Sequence, residues 1–330
     1  MTADTKRRKA EGGRRKDGAR GASSSFKNAR VLVVGDAMLD RYWYGEVDRI
    51  SPEAPVPIVK IDPKQEKELP GGAANVARNA AALGAQVTLL SVVGADEPGT
   101  RLESLLRRER VEPLLHRDRS VKTTVKLRVI ARHQQLLRVD FETAPSHEVL
   151  ATKLRDFQRI LERVDVVILS DYGKGGLTHI AKMIGLGRRA GRTVLVDPKG
   201  EDYSRYRGAT LITPNRSEFR QVAGAWKDER ELTERAQQLR RRLGAEALLI
   251  TRSEEGMTLY QDGARFHVGA QAREVFDVSG AGDTVIATLG AALASGMRMK
   301  DAVKLANRAG GIVVGKLGTA VVTPKELFGA

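Results

Sequence analysis

The sequence predicts an α/β protein, a doubly wound and mostly parallel sheet flanked by helices, with a small additional β-sheet. Three observations lead there. From about residue 149 onward, short apolar runs alternate with helical patterns, and each run empties into a polar turn. Between the first apolar run and that repeating body lie proline-rich and period-two segments, which suit exposed strands outside the main sheet. Near the C-terminal end a turn of small residues opens a strongly apolar helix.

The first element is the run Val31 to Gly35, which suits a buried parallel strand delivering Asp36 and Asp40 to its C-terminal edge. Polar residues at such edges line the ligand crevice of an open α/β sheet. Residues 41–67 differ in character. They contain Tyr42, Trp43 and Tyr44, then Pro52, Pro55 and Pro57, whose spacing forbids a helix or a central strand and predicts edge-type extended chain. Pro70-Gly71-Gly72 opens a helix from Ala73 to Leu83, stopped by Gly84, with Asn75 facing whatever approaches the two glycines. Residues 121–130 alternate with period two, placing Lys122, Thr124, Lys126 and Arg128 on one face, and Gln134 to Asp140 completes a hairpin. That basic face is either solvated or the inner side of a small lid over an anionic substrate. The lid strands are expected at about 41–62 and 121–140.

The repeating body follows. The runs 164–169, 193–196, 210–213 and 247–250 lead into turns carrying Asp171 and Lys174, Lys199, Asn215 and Glu218, and Thr251, Ser253 and Gly256. Right-handed crossovers put such turns on one edge. Asp36, Asp171, Lys199, Asn215, Glu218, Thr251 and Asp283 are therefore expected to share a crevice.

In the stretch Glu274 to Leu293, Val275 and Phe276 read as a strand end, Ser279-Gly280-Ala281-Gly282 as a small-residue turn, and Asp283-Thr284 as a helix start. Backbone N–H groups of Gly280, Ala281 and Gly282 can then point at an anion, where unpaired donors and the helix dipole favour negative charge. A carboxylate at Asp283 beside a bound phosphoryl group suits a general base. The alternative is a packing turn with Asp283 as a helix cap. Two nucleotide motifs have little support. No G-x-G-x-x-G follows a strand, and Gly310 to Lys316, although of P-loop spacing, is followed by Leu317 and continues an apolar helical pattern.

Composition bounds the function classes. With 330 residues the chain can bury one large core. Its net charge is +15, but residues 1–30 hold ten Lys/Arg against three Asp/Glu, which leaves +8 for the remaining 300. That balance is ordinary for a protein handling phosphates. Residues 1–29 read as a disordered basic tail ahead of a single domain at 30–330. Nucleic-acid binding is a distant alternative, because aromatic residues are not interleaved with the basic ones. No secretory h-region or eighteen-residue apolar run occurs, so a cytoplasmic protein without a membrane partner is expected. Cysteine is absent, which excludes thiolate chemistry, and the five His show no ligand spacing.

Three ordered blocks, Pro70-Gly-Gly-Ala-Ala-Asn-Val-Ala77, Asn215-Arg-Ser-Glu218 and Asp277-Val-Ser-Gly-Ala-Gly-Asp-Thr284, resemble the signatures of the ribokinase-like carbohydrate kinases over about residues 31–325. Longer blocks, among them Gly35 to Gly45, Arg49 to Lys60 and Ala306 to Thr319, are similar to the members acting on a heptose 7-phosphate. The resemblance implies ATP-dependent phosphorylation of the anomeric C1 hydroxyl, on the route to ADP-heptose and lipopolysaccharide core. Another phosphosugar or nucleoside kinase of the family is the alternative. Asp283 is then the base, with Gly280 to Asp283 as anion hole. Lys199, Asn215, Glu218, Thr251, Ser253, Gly256, Asn307 and Gly311 fall on the ATP side, with Glu218 near Mg2+ through water. Asp36, Asp40, Gly71, Gly72, Asn75 and Asp171 fall on the sugar side, and Lys126, Arg128 and Lys174 are candidates for its 7-phosphate. A monovalent cation is a further candidate cofactor, and a homodimer formed lid to lid is expected. Ser279 in place of a more usual Thr, Arg132-His133 at the lid turn and the basic tail depart from the pattern. The chain is expected to lack the adenylyltransferase domain of bifunctional relatives.

Overall fold

The computed structural model describes residues 26–132, 134–271 and 274–329. Most of the expected basic tail, residues 1–25, and His133 lie outside the described residues. Phe26, expected within that tail, is fully buried and packs against Phe328 with ring centroids 5.7 Å apart, so the core takes up chain four residues earlier than predicted.

Alternation along β1 (Arg30–Gly35) decides the layering. Val31 and Val33 join one buried cluster, Leu32 and Val34 the other, and a strand apolar on both faces needs helices on both sides. The chain continues through β2 (Ala37–Ile50), β3 (Pro57–Ile61) and β4 (Lys67–Gly72) to helix α1 (Ala73–Ala82). Strand β5 (Gln86–Gly94), helix α2 (Glu97–Arg108), β6 (Val111–Asp118) and the hairpin β7 (Val125–Ala131) and β8 (Gln134–Phe141) follow. Then come α3 (His147–Ile160), β9 (Val166–Ser170), α4 (Ile180–Arg189), β10 (Thr193–Asp197) and β11 (Leu211–Ile212). After α5 (Arg216–Ala223) and α6 (Glu229–Leu243) lie β12 (Ala247–Thr251), β13 (Met257–Gln261) and β14 (Ala264–Val268). The chain closes with α7 (Ala281–Ala294), α8 (Met299–Val313) and α9 (Pro324–Phe328).

The large sheet has nine strands in the order β14-β13-β12-β11-β10-β9-β1-β5-β6, parallel from β12 to β6, with β13 and β14 antiparallel at one edge. The order in which strands are added reverses beside β1: β5 and β6 build outward on one side, β9 to β12 on the other. Such a switch point opens a crevice at the carboxyl ends of the strands. Each fully buried Val, Leu or Ile in these strands contributes roughly 1.5–3 kcal/mol.

The smaller sheet is built around the 14-residue β2, which pairs with β4 along its first half, β3 along its second and β7 along its middle, with β8 outside β7. It is larger than the two expected segments, because β4 belongs to it. Its hairpin begins at Val125 rather than at 121. The Thr123 backbone N–H and hydroxyl are taken by Asp96, at 2.9 and 2.6 Å, which ties the preceding residues to the N-terminus of α2 instead.

Two other expectations change. Val275 and Phe276 belong to no strand and are 63% exposed. Their neighbourhood is a loop, in which the Phe276 and Asp277 N–H groups share the Val314 carbonyl and the Asp277 carboxylate accepts from Ser279 and Gly318. Gly310 and Gly311 lie within α8, so the P-loop spacing is coincidental. No helix among the described residues is long and apolar enough to cross a membrane.

Candidate active site

The turn before α7 is shaped by Gly280, which sits in the left-handed region at φ 78° and ψ 7°. A Cβ there would also approach the Asn75 amide nitrogen at 3.0 Å. The helix starts at Ala281, two residues ahead of the expected start. The Ala281 N–H is turned to the Val278 carbonyl at 3.2 Å and the Thr284 N–H to Gly280 at 3.0 Å. Helix geometry leaves the N–H groups of Gly282 and Asp283 for an anion, and Ala281, a donor expected from the sequence, is spent on the Val278 carbonyl instead.

Asp283 is buried at this helix start, and its side chain makes no cap. Instead Oδ2 accepts from the Asn75 side-chain amide at 2.7 Å and Oδ1 from the Tyr172 hydroxyl at 2.5 Å. Asn75 is itself set by Asn79, which donates to the Asn75 carbonyl at 2.9 Å and accepts from the Thr284 hydroxyl at 3.0 Å. A chain of short polar side chains therefore locks α1 to α7. Burial pushes the Asp283 carboxyl up to about 6, with Asp40 adding to the rise, while the Tyr172 and Asn75 hydrogen bonds and the Lys126 charge oppose it. A carboxylate so poised is still ionised at neutral pH and is a better base than an exposed one.

Two cavities meet at Gly282. One, of about 220 Å³, is lined by Asp171, Tyr172, Asp197, Lys199, Asn215, Glu218, Thr251, Gly280 and Asp283. The other, of about 370 Å³, is bounded by Thr251, Ser253, Gly256, Asn307, Gly310 and Gly311 with the apolar Val275, Val278, Val285 and Val314. The first is polar and suits phosphates; the second has the apolar walls and sparse polar groups of a nucleobase site. A third, of about 1100 Å³, runs between the smaller sheet and the 277–279 loop, touching Tyr42, Tyr44, Lys60, Arg128, Arg132 and Asp277.

Several side chains singled out in the sequence are engaged elsewhere. Asp36 accepts the backbone N–H groups of Tyr172, Lys174 and Gly176 at 3.0, 3.0 and 2.8 Å, so it organises a loop and does not face the cavities. Asp171 turns to the Tyr206 hydroxyl at 2.9 Å and lies 3.6 Å from Arg205. Lys174 pairs with Glu142 at 2.5 Å, because the β9 loop brings it to the residues after β8. Arg128 pairs with Asp40 at 2.7 Å over the Tyr42 ring, which couples two residues expected to act on different parts of a sugar. Asn215 and Glu218 form a reciprocal capping box on α5, and Lys199 reaches Glu218 at 3.2 Å. Gly71 and Gly72 end β4 against β2. A Cβ on Gly72, at φ 57° and ψ −133°, would meet the Asp36 carbonyl at 2.5 Å and the Met38 methyl at 2.6 Å. Lys126 points inward, its ammonium 5.8 Å from the Tyr172 ring centroid.

Two residues of this region were passed over in the sequence. Tyr172 stands between Asp171 and Lys174 in a turn already singled out, and an aromatic hydroxyl at a strand end is the signal for it. Asp197 ends β10 and lines the 220 Å³ cavity. Burial, together with the neighbouring Asp283 and Glu218 charges, pushes its carboxyl well above the usual range, partly countered by Lys199. Carboxylates converging on one phosphate-sized cavity suit a bound cation. Among the described residues no three such groups form a preassembled metal cluster, so the ion would complete its shell with water and phosphate oxygens.

Residues 28–326 match the pfkB family carbohydrate kinase. The chain belongs to the PfkB family of carbohydrate kinases. It is a carbohydrate kinase, and the phosphoryl donor of this class is ATP. It is 59% identical, over 91% of its length and 96% of the relative's, to the D-beta-D-heptose 7-phosphate kinase of Bordetella bronchiseptica. It is 55% identical to the bifunctional protein HldE of Nitrosococcus oceani, over 92% of this chain but 64% of that longer protein. Among solved structures, phosphofructokinase-2 from Escherichia coli in complex with potassium superposes with TM-score 0.74 at 19% identity, covering 91% of this chain and 96% of that one. Ribokinase of Arabidopsis thaliana, complexed with ribose and ATP, gives TM-score 0.72 at 19% identity, over 92% of this chain and 98% of that one. The two structures establish the fold for this PfkB kinase, a large parallel sheet flanked by helices with a smaller sheet beside it.

Proposed function

We propose that this kinase transfers the γ-phosphoryl group of ATP to the anomeric C1 hydroxyl of D-glycero-β-D-manno-heptose 7-phosphate. The product is the 1,7-bisphosphate, on the cytoplasmic route to ADP-heptose and lipopolysaccharide core. One observation carries the chemistry: a buried carboxylate, Asp283, sits at the mouth of an anion-binding helix start beside two adjoining cavities. The near-full-length identity to a named heptose 7-phosphate kinase supports the choice of sugar.

Asp283 takes the C1 hydroxyl proton as that oxygen attacks the γ-phosphorus, and ADP leaves with the bridging electrons. The N–H groups of Gly282 and Asp283 face the charge on the transferred phosphoryl group. The apolar cavity holds the nucleoside between Thr251, Ser253, Gly256, Asn307 and Gly311, and Lys199 and Asn215 flank the phosphates. Glu218, through water, and Asp197 would hold a magnesium ion, which neutralises phosphate charge in such transfers. A monovalent cation belongs in the assay as a further candidate. Asp40 and Asn75 bind the sugar beside Gly71 and Gly72, and the smaller sheet closes over it as a lid. Exposed Leu137 and Phe141 on that sheet support a homodimer formed lid to lid.

Glu218→Gln keeps the capping box, because Gln at this helix position caps as Glu does. It should raise the magnesium concentration for half-maximal rate roughly tenfold, and a magnesium titration of kcat showing no change removes Glu218 from that role. Lys126→Ala should weaken heptose 7-phosphate binding by about tenfold while ATP binding stays within twofold, since a charged contact to phosphate is worth about 1.5–3 kcal/mol. Calorimetry with each ligand separates the two, and equal losses contradict the assignment. ADP release across heptose, fructose and nucleoside substrates tests the choice of acceptor.

A further inference from the structure

The loop after β9 is held from two sides. Asp36, at the end of β1, accepts the N–H groups of Tyr172, Lys174 and Gly176, and Lys153 on α3 donates to the Gly176 carbonyl at 2.7 Å. Lys153 is fully buried; burial brings its ammonium down to about 8, and the Asp36 and Asp171 charges hold it up. A lysine and a carboxylate placed beneath a six-residue turn, neither facing a cavity, fix the turn's backbone. What that turn delivers to the reacting region is the Tyr172 hydroxyl, 2.5 Å from Asp283 Oδ1.

The other carboxylate oxygen, Oδ2, accepts from Asn75 at 2.7 Å. One donor on each oxygen sets the plane of the carboxylate and leaves a lone pair on each for a third partner. An O–H donor this close to a carboxylate is a charge-assisted bond, stronger than a neutral one. Burial and the Asp283 charge push the phenol well above its ordinary range, so Tyr172 remains a donor across neutral pH.

We infer that Tyr172 is a positioning residue for Asp283: its hydroxyl fixes the carboxylate so that a free lone pair meets the acceptor hydroxyl, and it favours the ionised base. The inference rests on the reading of Asp283 as base. The charged and titratable groups facing Asp283 are Asp40 from β2, Lys126 from β7, Tyr172 from the β9 loop and Asp197 from β10. Asp40 opposes ionisation and Lys126 favours it. Of these, the phenol alone is hydrogen-bonded to the carboxylate, and one atom can be deleted from it.

Tyr172→Phe deletes that atom. Turnover at pH 7.5 should fall about tenfold with ATP affinity unchanged by calorimetry, and the acid limb of kcat should move up by about one pH unit. Replacing Tyr172 by 3-fluorotyrosine, a stronger donor of nearly the same shape, should move the limb the other way. In ligand-free protein, carbon-13 NMR of the Asp283 carboxyl, assigned by its loss in Asp283→Asn, should show the same two displacements. An unmoved carboxyl titration in the Phe variant overturns the inference, as does a kcat equal to the parent's. Because that titration reads Asp283 without turnover, displaced titrations in an enzyme whose Asp283→Asn variant stays active would leave the hydrogen bond in place and remove the base assignment instead.

Discussion

Asp283→Asn should lower kcat by about 10²–10⁴ while ATP affinity stays within a few-fold of the parent. Asn keeps the size of Asp, and the helix start does not depend on this side chain, since Gly280 shapes the turn and Asp283 makes no cap. What disappears is the basic lone pair, worth roughly 3–5 kcal/mol of transition-state stabilisation. Any change in ATP binding should be toward tighter binding, because a negative charge beside the γ-phosphate is gone. The parent enzyme should show the same group in its pH profile. Burial pushes Asp283 up to about 6, and a base works only when deprotonated, so kcat/KM, which reads the free enzyme, should hold above that pH and fall as pH drops through it. A variant keeping kcat within tenfold of the parent would leave α7 as a phosphate cradle and require another proton acceptor.

Asp36→Ala should destabilise the fold by about 3–6 kcal/mol, because three backbone N–H groups lose their acceptor, a buried unpaired donor costs about 1–3 kcal/mol, and the two half-buried ones fall at the low end of that range. Lys153, fully buried beside it, also loses a counter-charge. Urea denaturation measures the loss, and kcat should fall with it as the loop carrying Tyr172 slackens. The sequence reading of Asp36 as a sugar ligand makes the opposite forecast, normal stability with weakened sugar binding, so one titration and one denaturation curve choose between them.

The contrast shows what was legible from residue order. The central strands were, because Val166–Ser170, Thr193–Asp197 and Ala247–Thr251 are buried on both faces and so read as unbroken apolar runs. The glycine turn and Asp283 were legible as well, since a small-residue loop before an apolar helix is a local pattern. Strand β4 was not: Lys67–Gly72 contains a proline and two glycines, and only its pairing with the long β2 makes it a strand. Val275 and Phe276 misled in the opposite sense, as apolar residues left exposed, Val275 lining the 370 Å³ cavity. Side-chain roles at strand ends were the least legible. Asp36 and Asp171 each lie one residue past the ends of β1 and β9, whereas Asp197 closes β10 in register with Ser170, and of the three one holds a loop, one meets Tyr206 and one faces the phosphate-sized cavity. Which of these happens depends on the donors that the crossovers bring within reach, and those lie from about 35 to 140 residues away.

The choice of acceptor is tested most directly by product analysis: the enzyme is incubated with ATP, magnesium and D-glycero-β-D-manno-heptose 7-phosphate, and the product is examined by mass spectrometry and phosphorus-31 NMR. A bisphosphate whose new phosphorus couples to the anomeric proton, formed faster than any product from fructose phosphates or nucleosides, is the expected result. A phosphate placed on another hydroxyl, or faster turnover of a different acceptor, would contradict it.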